Sequence, residues 1–400
     1  TDNLSYQIIK DNINFSFDSK INLKNNSLLI DFLDYEKKEG SNCLVLIKGV
    51  FNKNNQLRFD LINLKEKNNE ILINGLDLNK SFKILNIDNL IINYKNNKKI
   101  LNKIILKKNN LNFIIEGESF DASKIINNIM DSNNGSFSIF ENLNSKINIS
   151  IKKTYIDDDN YINSLNGYIN FNNNKIDDLK LESAFPNSRK INLSIKTNNN
   201  SETVTRLSTA NPKPLIKRYD FIKGFEEGHL DFYSSKKGGV SNSVLVIDNF
   251  KVKEVPIFAK LLSLASLQGI ADLLTGEGIR FTDFEMNFSN KKGLTTIEEM
   301  YAIGPAVSIL MDGYIESKKL VSLRGTLVPA TTINRTIASI PFLGDLLIGD
   351  KTGEGVFGVS FKIKGSPKDL KTTVNPIKTL TPRFITRTLE KIKKINLIQL

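Results

Sequence analysis

Lys146-Ile147-Asn148-Ile149-Ser150-Ile151-Lys152 alternates a branched apolar residue with a polar one at every step. A period of two places the three isoleucines on one face of an extended chain and Asn148 and Ser150 on the other. Working outward, the same pattern recurs upstream, where Ile13, Phe15 and Phe17 are separated by Asn14 and Ser16. Downstream it returns at Ile191, Leu193 and Ile195, and again at Phe357, Val359, Phe361 and Ile363. Polar turn signals lie between these stretches: Asn54-Asn55, Asn68-Asn69, Asn133-Asn134-Gly135 and Lys237-Gly238-Gly239. Strands joined by short polar turns predict a mainly β chain with antiparallel meander pairing, in which strand exceeds helix at least twofold.

Helix signals are few. Asp121 to Met130 is a candidate with Asp121 as its N-cap, and Pro212 to Tyr219 is a short second one. Pro256 to Leu274 is the clearest, with Pro256 in the first turn and Phe258, Leu261 and Leu262 on its apolar surface. Its length approaches that of a bilayer span, but Lys260, Gln268, Gly269 and Asp272 interrupt it, so a cap over the end of the sheet is the expectation. Thr332 to Ala338 and Pro382 to Lys394 complete the set. In the last, Phe384, Ile385 and Leu389 share a side, while Arg383, Arg387, Lys391 and Lys394 supply positive charge suited to an anionic membrane surface.

Composition narrows the class. With 40% hydrophobic and 24% charged residues in 400, the chain is neither disordered nor a bundle of membrane spans. The formal charge of +12 is uneven: residues 351–400 hold eleven Lys/Arg against three acids, a balance that suits an anionic partner. Asn runs such as Asn172-Asn173-Asn174 read as codon bias rather than as a binding element. The sole cysteine, Cys43, excludes an intrachain disulfide. The opening Thr1-Asp2-Asn3 is polar and runs into a strand pattern, which reads as a fragment or a processed product.

The chain gives an enzyme little to work with. His229 is the only histidine, so two-His metal sites are excluded, and one Cys excludes thiolate clusters; no metal site or cofactor is expected. No Gly-x-Ser-x-Gly elbow surrounds any serine. Gly276-Glu277-Gly278 and Gly353-Glu354-Gly355 lack the further glycine or the Lys-Ser/Thr pair of phosphate loops and read as tight turns. The absence of Trp and of any recognisable nucleic-acid motif argues against nucleic-acid binding. The reading is a non-enzymatic chain.

Residues 250–384 carry a family likeness. Phe250-Lys-Val-Lys-Glu-Val-Pro256 is followed by the Phe258–Leu274 run, Gly276-Glu-Gly-Ile-Arg-Phe281, Gly304-Pro305-Ala306 and Leu323-Arg-Gly-Thr-Leu-Val-Pro329. Ile340-Pro-Phe-Leu-Gly-Asp-Leu-Leu-Ile-Gly349, Gly353-Glu-Gly-Val-Phe357 and Val374-Asn-Pro376 complete the series. This order resembles the C-terminal region of the large AsmA-like envelope proteins of Gram-negative bacteria. Gly117-Glu-Ser-Phe-Asp-Ala122 resembles a short motif that precedes the region in some members. Ala330-Thr-Thr-Ile-Asn334 departs from the aromatic-containing form expected there.

The resemblance implies an elongated, twisted antiparallel sheet curled into an open, taco-like groove, with a few helices near the C-terminal end. Residues 1–200 would form the repetitive groove segment and 201–400 the AsmA-like C-terminal region with capping helices. It implies an envelope protein anchored in the inner membrane with its bulk in the periplasm. Such a protein moves phospholipid between the inner and outer membranes, supports outer-membrane integrity, and meets outer-membrane or other envelope proteins. The groove-lining candidates are Ile147, Ile149, Ile151, Ile191, Leu193, Ile195, Phe357, Val359 and Phe361. The candidates for a cap or membrane helix are Phe258, Leu261, Leu262, Phe384, Ile385 and Leu389. The alternative is a structural or secreted β-rich surface protein, such as an adhesin stalk; a short regular repeat would favour it, and none is present.

Overall fold

The computed structural model describes residues 2–11, 14–52, 56–126, 140–217, 223–254, 276–317, 319–329, 358–367 and 369–377. Strand accounts for 74% of them and helix for 3%, so the mainly β reading holds by a wide margin. The sheet is large, mostly antiparallel and not closed. The chain divides into two compact units, Thr1–Arg206 and Leu207–Leu400.

The first unit opens with β1 (Asn3–Asp11) and β2 (Asn14–Leu23). A small hairpin follows, β3 (Leu28–Ile30) and β4 (Tyr35–Lys37), joined by the 3-10 turn Asp31–Leu33. Then come β5 (Cys43–Phe51), β6 (Leu57–Glu66), β7 (Asn69–Leu78), β8 (Ile84–Lys95), β9 (Leu101–Asn109) and β10 (Asn112–Asp121). The series ends with β11 (Lys146–Tyr155), β12 (Tyr161–Asn172), β13 (Lys175–Ala184), β14 (Lys190–Thr197) and β15 (Thr203–Thr209), the last straddling the boundary. β1 pairs with β2, β2 with β5, and β5 to β10 pair in chain order, all antiparallel.

One step departs from the expected meander: β10 and β11 are parallel, after which β11 to β14 resume antiparallel pairing. A parallel neighbour requires a crossover rather than a tight turn, and residues 122–145 supply the length. Asp121 begins that connection as the sequence suggests: its Oδ1 accepts from the Ser123 N–H at 3.0 Å and the Ser123 hydroxyl at 2.6 Å, above a helical turn at 123–126. The same residue also ends β10, because its N–H still bonds Asn102 Oδ1 at 2.8 Å.

The second unit contains β16 (Lys223–Lys237), β17 (Val240–Glu254), β18 (Ile279–Lys291), β19 (Leu294–Ile303), β20 (Val307–Glu316), β21 (Leu320–Pro329), β22 (Gly358–Ser366) and β23 (Asp369–Ile377). Each pairs antiparallel with the next. The Gly238-Gly239 signal is the two-residue turn of the first hairpin, with φ of +58° and +79°, the left-handed pair that matches strand twist. Of the helix expected over 212–219, Lys213–Ile216 is helical. The candidates at 256–274, 332–338 and 382–394, and residues 127–130, lie outside the described residues.

Burial follows these units. One core fills the second unit, built on a run of rings in which Phe250 stacks on Phe225 (centroids 5.2 Å) and on Phe281 (5.3 Å). The first unit holds smaller cores. One gathers Val45, Leu64, Ile71, Ile92 and Ile104 under the hairpin residue Tyr35; another gathers Leu76, Ile87, Phe113 and Phe171 with Leu143 of the crossover. The hairpin is tied down by Tyr35, whose hydroxyl donates to Glu66 at 2.9 Å, and by the fully buried Lys37. Its Nζ donates to the Lys24 and Asn26 carbonyls at 2.9 and 2.6 Å.

Candidate functional site: an apolar face ruled in rows

Residues directly opposite in neighbouring strands point to the same face, so pairing registers convert single side chains into rows that cross the strands. In the first unit three such rows lie on one face. The upper row runs Ile21, Val45, Leu64, Ile71, Ile92, Ile104, Gly117, Ile151 and Leu165, one residue per strand from β2 and β5 through β12. The middle row runs Ile47, Ile62, Ile73, Leu90, Leu106, Ile115, Ile149, Gly167, Leu181 and Leu193, from β5 to β14. The lower row includes Phe17, Gly49, Phe59, Leu76 and Ile87, and farther along Phe113, Ile147, Ile169, Leu179 and Ile195.

The rows differ in how far they are covered. From Val45 to Ile104 the upper row is buried, beneath Tyr35 and the hairpin's Leu28, Ile30 and Leu33. Much of the lower row is buried too: Leu76, Ile87 and Phe113 pack with Phe140 and Leu143 of the crossover. Every apolar member of the middle row is only half-buried. From β5 to β11 it forms a continuous strip of branched aliphatic side chains between flanks that are covered in part. The opposite face carries charge, with Lys48 2.7 Å from Asp18 and Arg58 2.9 Å from Asp77 and 3.2 Å from Asp88. Such exposed pairs add little stability, and here they mark the solvated side.

Gly167 occupies one place in the middle row for a steric reason. With φ at +146°, a Cβ there would lie 1.9 Å from the Lys180 carbonyl oxygen, so no larger residue fits without moving β13.

The second unit is ruled in the same way. One row runs Leu230, Ile247, Phe284, Ala302, Ile309, Leu327, Val359 and Pro376 from β16 to β23. Its neighbour runs Phe232, Leu245, Met286, Met300, Met311, Gly325, Phe361 and Val374. Three of the chain's four methionines thus stand side by side. A Cβ on Gly325 would lie 2.6 Å from Phe361 Cζ, so the ring fills the space that a side chain at 325 would take.

The sequence candidates distribute over these rows. Ile147, Ile149 and Ile151 step through the lower, middle and upper rows on β11, while Leu193 and Ile195 join the middle and lower rows on β14. Ile191 shares that strand face but packs against Ile156, Ile162 and Phe185 in a small separate core. Phe361 is buried in the second unit's core, and Val359 takes its place in a row there through its pairing. Phe357, Phe258, Leu261, Leu262, Phe384, Ile385 and Leu389 lie outside the described residues. Sequence reading passed over Ile47, Ile62, Ile73, Leu90, Leu106 and Ile115, the longest part of the middle row. It also missed the methionine row.

The outer face of the second unit holds its one histidine. His229 Nε2 lies 3.1 Å from Asp231 Oδ2 and 3.4 Å from Ser208 Oγ. Both contacts fall on the same ring nitrogen, so the imidazole does not bridge serine to carboxylate as a nucleophile's base must. Among the described residues, no group of three or more His, Cys, Asp or Glu could hold a metal ion.

Opposite His229 stands Asp248, which in turn faces Asp283. Burial and the nearby charges of Asp283 and Asp231 hold the Asp248 carboxyl above its ordinary 3.8, with His229 opposing them. A carboxyl raised on folding destabilises the fold in its charged form. The penalty is absent below the ordinary value and complete above the raised one, so stability falls as pH climbs between them. Asp248→Asn should therefore raise the melting temperature at neutral pH, and the gain should vanish when melting is followed below about pH 4. A gain that persists in acid would point to packing instead.

Among the described residues, no helix is long and apolar enough to cross a membrane. No family model matches the chain, and neither a curated protein nor a solved structure does.

Proposed function

We propose that the chain is a non-enzymatic lipid conduit whose ruled face shields the acyl chains of phospholipids. The observation that supports this is the middle row of the first unit: ten strands wide, apolar at every position but Gly167, and half-buried between flanks that are covered in part. A structural core needs its apolar side chains fully covered. A strip left half-covered suits a mobile apolar occupant instead. Two acyl chains exposed to water cost on the order of 20 kcal/mol or more at about 0.8 kcal/mol per methylene, so an aqueous gap is a steep barrier without such a strip.

In this reading the sheet curls about its ruled face as an open groove. The resemblance of the motif order over 250–384 to AsmA-like proteins supports a setting in a bacterial envelope, with an anchor at the inner membrane. Phospholipid passes along the rows toward the outer membrane and its proteins, and the basic sequence at 382–394 meets an anionic lipid surface.

Native mass spectrometry of the purified chain tests the core of this proposal. Retained phospholipid is the expected result. A benzophenone side chain at Leu106 should crosslink to it, whereas one at the neighbouring Lys107 should not, because successive strand residues face opposite ways. A lipid-free protein, or equal crosslinking from both positions, would overturn the conduit and leave a purely structural β protein.

A further inference from the structure

Residues 24–42 are an insertion into the sheet rather than part of it. β2 and β5 are direct neighbours, with Leu23 opposite Cys43, so the chain between them leaves the sheet and returns to where it left. At the root the Gly40 N–H donates to the Lys24 carbonyl at 2.7 Å. Among the described residues β3 and β4 ladder only with each other, and a two-stranded ribbon that short does not stand alone. Its apolar side seats it: Leu28, Ile30 and Leu33 pack on the upper row, and the Tyr35 ring meets Tyr94 edge-on at 5.2 Å.

We propose that this hairpin is a hinged lid over the upper row, which an acyl chain displaces. The branched aliphatic side chains that it lays on the row present the same kind of surface as a hydrocarbon chain, so lid and lipid compete for one place. Lifting the hairpin uncovers the upper row from Val45 to Ile104 beside the middle row, and widens the accessible strip by one row across β5 to β9. The occupant rests on the conduit reading; the hinge does not.

The polar contacts of the lid suit release. Lys124, in the helical turn of the crossover, donates to the Asp31 carbonyl and to Asp31 Oδ1, both at 2.9 Å, and lies 3.1 Å from Asp34 Oδ1. Lys124 is 36% exposed and Asp31 82%, so water competes for this latch and it holds weakly. Asp34 is poorly served by closure: its φ is +53°, and among the described residues its buried Oδ2 has no hydrogen-bond partner. A carboxylate oxygen buried without a donor counts against the closed state and regains water on opening. Opening gives up the bonds from Tyr35 to Glu66 and from Tyr94 to the Leu33 carbonyl, and water can replace both. Lys37 loses nothing, because the Lys24 and Asn26 carbonyls that hold its ammonium belong to the hairpin's own leg and move with it.

Cys43 reports the lid directly. It is 4% exposed in the core that Tyr35 covers, and burial, then the nearby Glu66 charge, hold its thiol above its ordinary value, so it reacts with a maleimide only when uncovered. In the full chain without lipid, Cys43 labelling should proceed through local opening, with a urea dependence well below that of global unfolding. Lys124→Ala should speed labelling about two- to fivefold, and Ile30→Ala about tenfold, while hydrogen exchange in β6 to β8 stays as in the parent. Ile30→Ala should also bind a fluorescent phosphatidylglycerol more tightly, by up to about tenfold, because a looser lid opposes the acyl chain less. Labelling that occurs only on global unfolding would overturn the lid. So would an Ile30→Ala chain that binds phosphatidylglycerol no more tightly than the parent, since the hairpin would then be a fixed cover. A chain that opens locally yet takes up no phospholipid would refute the conduit and the occupant together and leave the hinge standing.

Discussion

Phe250→Ala is expected to cost the second unit about 3–5 kcal/mol, the range for deleting a buried ring. Phe250 is 5% exposed and stands where three ring contacts converge. Phe225 and Phe281 stack on either side of it, and Phe284 meets it edge-on at 6.2 Å. Each of these rings is itself held by a strand register, which limits how far it can move into the gap. Since the chain has two units, a single melting curve would mix their responses. Hydrogen exchange read by peptide mass separates them: protection should fall in β16 to β20 while β5 to β9 keep theirs. Leu294→Ala, at a position 43% exposed, serves as the control and should stay within about 0.5 kcal/mol of the parent. Unchanged protection in β17 after Phe250→Ala would mean that the stack does not hold the core.

The second large effect concerns passage along the middle row. Ile149→Glu puts a carboxylate in the strip between Ile115 and Gly167. A charge there deprives a bound chain of apolar contact over about four methylenes, roughly 3 kcal/mol, or more than a hundredfold in occupancy. Phospholipid recovered with the protein should fall accordingly. With a benzophenone at Leu193, beyond the block, labelling should be lost, while one at Ile47, on the near side, should still crosslink when lipid is supplied from that end. If labelling at both sites survives, lipid does not travel the row.

Strand identity was legible where one face is apolar and the other polar. Ile147, Ile149 and Ile151 could be assigned to one face from seven residues of sequence, and the structure puts them on adjacent rows. The longer part of the middle row was hidden by its own surroundings. Ile71-Leu72-Ile73 and Leu90-Ile91-Ile92 are apolar on both faces, which erases the period of two. The methionine row had no local signal whatever. Met286, Met300 and Met311 are separated by fourteen and eleven positions, and only the hairpin registers bring them abreast. Lys37 misleads in the other direction: a lysine reads as solvated, yet two backbone carbonyls satisfy its ammonium inside the hairpin. The parallel step at β10 and β11 was equally silent, since alternation reports facing but not direction.

Because a strand adds one residue to each row it joins, the reach of a row is counted in strands, at about 4.8 Å apiece. An ancestor could lengthen or shorten it by gaining or losing one hairpin, which leaves facing, direction and register of the remaining strands unchanged. A single strand is not an exchangeable module, because its loss would reverse every strand that follows. The parallel β10–β11 junction is a place in the first unit where such an odd step is already absorbed, its crossover acting as the splice.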